Sequence, residues 1–397
     1  MRRNINLSFA FNRFSLASLS GYKTDLCYIK SPLKMKLHLI LIFSIILTNF
    51  SLQGQGCVAI RGVGSCLNPN SHAEAGLKGA WNISGDFRYF KSFRHFKGLE
   101  EEADRVANGT EVINHTSAFN IGVQHGLTER LFFTSDIPFV INTRSSLYEH
   151  GRKERRTSFS RGLGDIRAGL GYWIVAPGRK KHALAAGFSI KLPTGNYQAL
   201  DLFYNVGPNG GSEVRPVDQS IQPGDGGFGI SLDFQYYQSI FSGITGYITG
   251  YYLSNPREMN GVRTFRETLN PILKNESIMS VSDQYSFRAG LMTGSNQKGF
   301  SGIIGARYEG VPVRDVLGGS LGFRRPGSII SLEPGINYMK GGTNIQLSVP
   351  IAVRRSRPQS VTDIETSKLT GQFRNGDAAF ADYLINLRYS VQISKKK

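Results

Sequence analysis

Tryptophan is nearly missing from this chain, with two among 397 residues. Cysteine is almost as scarce, at three, which excludes a disulfide-dense scaffold and a multi-thiolate metal centre. The seven histidines are scattered and none has metal-ligand spacing, so no metal or other cofactor is expected. The many Gly-x-Gly matches do not open a helix, which excludes a phosphate-cradling loop. Long apolar runs are also lacking. The longest, from Leu39 to Phe50, falls short of the roughly 20 residues a membrane-spanning helix needs. Acidic residues number 29 against 47 basic ones, for a net charge of +18. A surface of that sign attracts nucleic acid or an anionic membrane; the pattern described below favours the membrane and not nucleic acid. What is abundant is glycine, at 46, with 25 Phe and 17 Tyr. That composition suits many strands joined by tight turns.

The Leu39–Phe50 run follows Met35 and Lys36 and ends in Ser51-Leu52-Gln53-Gly54. A positive start, an apolar core and a small-residue end make a secretory signal. Such a signal works at a nascent terminus, so translation is expected to begin at Met35. On this reading, residues 1–34 are a non-native upstream extension and 35–56 the signal. Residues 57–78 form a short periplasmic segment that could plug a lumen, and 79–397 form the principal domain. Cys57 and Cys66 then reach an oxidising compartment, and one local disulfide is expected. Lipidation of Cys57 is the rival, but Gly54 stands where a lipobox wants an aliphatic residue.

After residue 78, apolar side chains recur at every second position over stretches of about ten. In 228–237, Phe228, Ile230, Leu232, Phe234 and Tyr236 oppose Gly229, Ser231, Asp233, Gln235 and Tyr237. This is the pattern of a strand with lipid on one side and a lumen on the other. Twelve such segments are predicted, near 79–90, 113–124, 130–142, 161–175, 182–194, 224–238, 243–253, 281–292, 299–309, 327–339, 343–353 and 379–393. Short and long connections alternate between them, as periplasmic turns and extracellular loops do. Several strands end in aromatics (Tyr89, Phe139, Tyr172, Tyr252, Tyr308 and Tyr338), as an interfacial girdle would. The expected fold is all-β: an antiparallel up-and-down transmembrane barrel of about 12 strands in the outer membrane of a Gram-negative bacterium. A soluble β-sandwich would use shorter strands. Gly246 and Gly250, on the lipid side, mark a possible flat contact between copies.

Three motifs follow one another: Gly126-Leu127-Thr128-Glu129-Arg130-Leu131, then Gly162-Leu163-Gly164-Asp165-Ile166-Arg167-Ala168-Gly169-Leu170-Gly171-Tyr172, then Lys191-Leu192-Pro193-Thr194-Gly195. In this order and spacing the chain resembles the transporter-like outer-membrane proteins of the MetA-pathway of phenol degradation family, over about 80–395. The resemblance implies a barrel and passive, porin-like passage of small hydrophobic or aromatic molecules, with no catalytic residues. The chain departs from many barrels at its end, where Tyr389 is followed by Ser394 and three lysines in place of a terminal aromatic.

Alternation alone assigns Asp86, Arg88, Asp136, Asp165, Arg167, Lys191, Asp233, Arg288, Arg307, Glu309, Glu333 and Arg388 to the lumen. There they would either bracket an aqueous path and set its selectivity or tie the interior shut. Bases in the long loops (Arg152, Lys153, Arg155, Arg156, Arg324, Arg325, Arg354, Arg355 and Arg357) suit the phosphates of lipopolysaccharide. Two other function classes are considered. One is a closed structural or adhesive barrel acting through its loops. The other is a lipid hydrolase: His115 and Ser117 are two apart with Asn120 nearby, and a base in reach of a serine can activate it.

Overall fold

The computed structural model describes residues 78–178, 181–264, 271–294 and 299–393. The expected signal, the upstream extension, the Cys57–Cys66 bridge, the proposed plug up to residue 77 and the 394–397 tail lie outside the described residues.

Fourteen strand segments build the wall: β1 (Trp81–Lys97), β2 (Ile113–Gly126), β3 (Leu131–Ser146), β4 (Arg156–Leu163), β5 (Arg167–Val175), β6 (His182–Lys191), β7 (Gly229–Phe241), β8 (Ile244–Ser254), β9 (Gln284–Thr293), β10 (Gly299–Val311), β11 (Gly327–Lys340), β12 (Thr343–Ser348), β13 (Ile351–Ser356) and β14 (Ala378–Ile393). Neighbouring wall positions pair antiparallel throughout, and β1 closes on β14 from Trp81↔Ile393 to Phe96↔Ala378. β4 with β5 and β12 with β13 each occupy one wall position, so the barrel has the twelve positions that the alternation predicts. Among the described residues, no helix is long and apolar enough to cross a membrane.

The two interrupted positions depart from the expected unbroken strands at 161–175 and 343–353. Both interruptions lie beside prolines. β3 pairs with β4 down to Phe139↔Leu163 and with β5 from Asp136↔Arg167. Between them stands Pro138, which has no N–H to give; its carbonyl accepts a bond from Gly164 N at 2.8 Å. On the other side, β11 pairs with β12 up to Gly335↔Ser348 and with β13 from Leu332↔Ile351. Pro334 faces that gap and Pro350 lies in it; Val349 N donates to Pro334 O at 3.0 Å. A proline removes one rung of a ladder, and here two neighbouring chains part at each missing rung.

The outward face is apolar at alternate positions. Ile83, Phe119, Ile121, Leu170, Phe188 and Leu232 are all exposed, an arrangement stable only in hydrocarbon. Toward the loop side, Tyr252, Tyr285 and Tyr308 stack outward, with the Tyr285 hydroxyl donating to Tyr308 at 2.9 Å. At the turn side, Trp81 stacks on His125 at 4.0 Å. These are the interfacial girdles. Phe139 is not part of one: it lies mid-strand, opposite Phe119. Nor is the surface at Gly250 an open flat. A Cβ there would lie 2.4 Å from the Phe287 ring and 2.9 Å from Phe234, so two neighbouring rings already fill the space.

The long loops fold into small units. Leu200–Phe203 pairs with Glu213–Pro216, and Met259–Arg263 with Ile278–Ser280. A short helix α1 (Ala103–Ala107) lies in the first loop. The helix α2 (Val361–Thr370) opens with a Ser360–Asp363 capping box and stops at Gly371, whose φ of 68° suits the left-handed stop.

Candidate functional site

The strand register gathers charges that are far apart in sequence. Asp86 faces Arg388 on one side and Asn120 on the other. Asp136 faces Arg167, Arg167 faces Lys191, and Arg288 faces Arg307. All point inward, forming a belt around the middle of the lumen.

Arg288 and Arg307 would repel each other, since like charges in adjacent positions destabilise a sheet. Glu333 resolves this. Its carboxylate accepts bonds from Arg288 Nε and Nη2 at 2.9 and 2.7 Å, and from Arg307 Nε and Nη2 at 3.1 and 2.6 Å. Ser348 Oγ donates a fifth, at 2.9 Å. Glu333 has no exposed surface. Arg307 also lies 3.5 Å from Glu309. Arg388 forks onto Asp86, and Arg88 Nε donates to Asn386 at 3.0 Å.

Tyr251, on β8, reaches into this belt. Arg167 stacks over its ring at 5.3 Å, and Tyr251 lines two cavities, one on each side. The first holds about 70 Å³. Asp136, Asp233 and Arg167 face it, together with Phe132, Ala185 and Gly171. Glycine is needed at 171 because a Cβ would meet the Phe132 ring at 2.2 Å. Toward the short turns the lumen becomes an apolar core in which Phe132, Trp173, Tyr237, Tyr247, Met292 and Ile303 are buried together. The second cavity holds about 50 Å³ and is polar.

The break at 164–166 is closed from the loop side. Asp165 accepts bonds from Gly195 N and Asp225 N, each at 3.0 Å. Thr194 Oγ1 accepts from Ile166 N at 2.9 Å and donates to Gly164 O at 3.0 Å. Lys191 pairs with Asp225 and lies 4.0 Å from Asp165. Asp165 therefore does not sit on a regular strand, as the alternation implies; it anchors a loop across a gap in the wall.

Higher up, residues 217–222 cross the mouth as a strap. Ile221 O accepts from Asn142 Nδ2 at 3.1 Å and from Ser160 Oγ, on β3 and β4. On the far side, Gln219 Nε2 donates to Ser280 O at 2.7 Å. Asp218 takes both Nη atoms of Arg325 at 2.9 and 2.7 Å and lies 3.5 Å from Arg144.

Burial raises the Asp218 carboxyl, but the charges of Arg144 and Arg325 outweigh it and hold the group below the usual carboxylate range. Asp377, in the last loop, behaves alike. Burial is outweighed by the hydrogen bond from His95 and the charge of Arg105. A depressed carboxylate adds stability that is complete above its unfolded pKa of about 3.9 and is lost as pH falls from there toward the folded value. Glu149 runs the other way, raised by burial against Arg144, and softens the effect. The loops are thus expected to gain amide hydrogen exchange between about pH 4 and 2 before the wall strands do. Simultaneous release of wall and loops would refute this.

His95, Glu102 and Asp377 lie close enough for one metal ion. Their ligand atoms are engaged: His95 Nε2 accepts from Val112 N at 2.8 Å, while Arg105 and Lys97 hold the carboxylates. The trio is a loop clasp. The hydrolase constellation is not assembled either. His115 shares a 2.9 Å hydrogen bond with Tyr89 on the outer face, whereas Asn120 points inward and donates to Asp136 at 3.0 Å. Most rim bases are used within the loops. Arg324 holds Asp315, Arg325 holds Asp218, Arg355 holds Asp382 and Arg357 holds Asp363. Arg155 reaches Glu111. Arg152, Lys153, Arg156 and Arg354 remain exposed.

Asp86, Arg88, Asp136, Arg167, Asp233, Arg288, Arg307, Glu309, Glu333 and Arg388 are therefore brought together in the lumen, while Asp165 and Lys191 meet the loop residue Asp225 at its edge. Sequence reasoning missed Tyr251, Asp225 and Asp218. Tyr251 was findable, since it shares the inward register of Tyr247 and Thr249. The two aspartates sit in long loops, where no periodicity marks direction.

No family model matches the chain, and no curated protein matches it. Among solved structures, it is similar to an outer-membrane channel from Pseudomonas putida F1. That match has a TM-score of 0.52 at 12% identity and covers 80% of this chain and 96% of that one. The fold is that of an outer-membrane β-barrel. Weaker likenesses are the CymD monoaromatic hydrocarbon channel and the translocator domain of the autotransporter NalP from Neisseria meningitidis. Both have a TM-score of 0.39; identities are 10% and 11%, with 87% and 90% of this chain and 99% and 95% of theirs covered.

Proposed function

We propose that the protein is a passive channel of the bacterial outer membrane for small hydrophobic or aromatic molecules. The observation that carries this reading is the apolar cavity inside the lumen, between Phe132, Ala185 and Tyr251. A channel for hydrated solutes has a polar interior throughout; this one offers a solute aromatic and small side chains below a charged belt. Most charges of the belt are held in ion pairs, so an ionic current through it is expected to be small but stepwise. Membrane lipid surrounds the wall, and the exposed Arg152, Lys153 and Arg354 suit lipopolysaccharide phosphates.

The test is uptake of radiolabelled toluene by vesicles whose outer leaflet is lipopolysaccharide. The wild-type protein should speed entry severalfold, and Phe132→Asp should abolish the gain. Entry no faster than in protein-free vesicles would end this reading. A closed barrel acting through its loops is the second reading, favoured by the strap at 217–222 and the ion-paired loops. Stepwise single-channel current distinguishes the two: present for a channel, absent for a closed barrel.

A further inference from the structure

We propose that the second lumen cavity is a subsite for the carboxylate of a small organic acid, so that the solutes taken include aromatic acids as well as neutral molecules. The proposal rests on the channel reading above. Four guanidinium groups, from Arg88, Arg288, Arg307 and Arg388, converge on this one space of about 50 Å³. They come from β1, β9, β10 and β14, so closure of the barrel creates the cluster.

The acids that belong to it are fewer. Asp86 and Glu309 line the cavity, and Glu333 lies behind it, shared by Arg288 and Arg307. Four cations against three anions leave one positive charge in excess. In an enclosed space with low-dielectric walls, such an excess concentrates anions. The remaining polar lining includes the amides of Gln346 and Asn386 and the hydroxyl of Ser286, all able to donate. Guanidinium matches a carboxylate with two parallel bonds, a geometry a point charge does not offer.

The neighbouring cavity has the opposite character. There two aspartates face a single arginine beside apolar side chains, and Tyr251 stands between the two spaces. A benzoate fits this division, with its acid end among the arginines and its ring toward Tyr251.

Titration calorimetry of the full-length protein in nonionic detergent tests this with benzoate and its uncharged isostere benzamide. Benzoate should bind at least tenfold more tightly. Arg88→Gln should bring benzoate down to the benzamide level, and Arg88→Lys should recover part of the difference. Retained heat-modifiable migration on gels shows that each variant is folded; a variant that fails this check is replaced by Asn386→Leu, which removes a donor and should weaken benzoate alone. Equal affinity of the wild-type protein for the two ligands, or folded variants that bind benzoate as the wild type does, would overturn the proposal. Because binding is read without transport, a failed toluene assay leaves this result separately legible.

Discussion

Replacing Glu333 with alanine is expected to cost the barrel about 3–5 kcal/mol, the usual penalty for removing one member of a buried ion cluster. The size follows from geometry. Five hydrogen bonds end on this one carboxylate, and four of them come from two guanidinium groups that face each other across β9 and β10. Without it, Arg288 and Arg307 are left repelling each other inside the lumen. Glu333→Gln keeps the shape and loses the charge, so it should fall only slightly short of the alanine variant. Urea unfolding in detergent micelles, followed by heat-modifiable gel migration, measures both. A midpoint for either variant matching the wild type would mean that water or counter-ions already screen the cluster.

The second large effect is expected at Asp218. It ties the 217–222 strap to Arg325 and Arg144, which lie on opposite sides of the mouth. Asp218→Asn leaves Arg325 facing a neutral amide, while Arg144 keeps Glu149 at 2.7 Å. Losing a buried charge partner costs about 3–5 kcal/mol, enough to shift a closed strap toward open more than a hundredfold at about 1.4 kcal/mol per decade. Planar-bilayer recordings should show a larger or longer-lived open level, with Asp218→Glu nearer the wild type. An unaltered current trace would mean that the strap is held by Ile221 and Gln219 instead.

Much of the architecture was legible in the sequence because a membrane wall imposes a strict rule. Each strand must alternate, so Ile230, Leu232 and Phe234 on one side and Ser231, Asp233 and Gln235 on the other fix both the strand and its facing. Twelve positions and the inward belt follow from that rule alone. The two breaks were written less plainly. Pro138, Pro334 and Pro350 stood inside expected strands, and their missing N–H groups were the available sign. A lone proline does not say whether the ladder bends or parts; that depends on the partner chain. The site was legible in its members and not in its pairings. Asp86 with Arg388, or Arg144 with Asp218, are contacts made by closure and loop folding, which a single strand's periodicity does not encode.

The seam between β1 and β14 has a consequence for biogenesis. Until Ile393 exists, Trp81 has no neighbour on that flank, and the wall remains an open sheet with a sticky border. Nothing can be completed piecemeal, and the contacts that seal the cylinder are among the most distant in sequence, which makes them slow to find. The cylinder is therefore expected to seal only after its last strand has been made, and the unsealed sheet to be prone to aggregation until then.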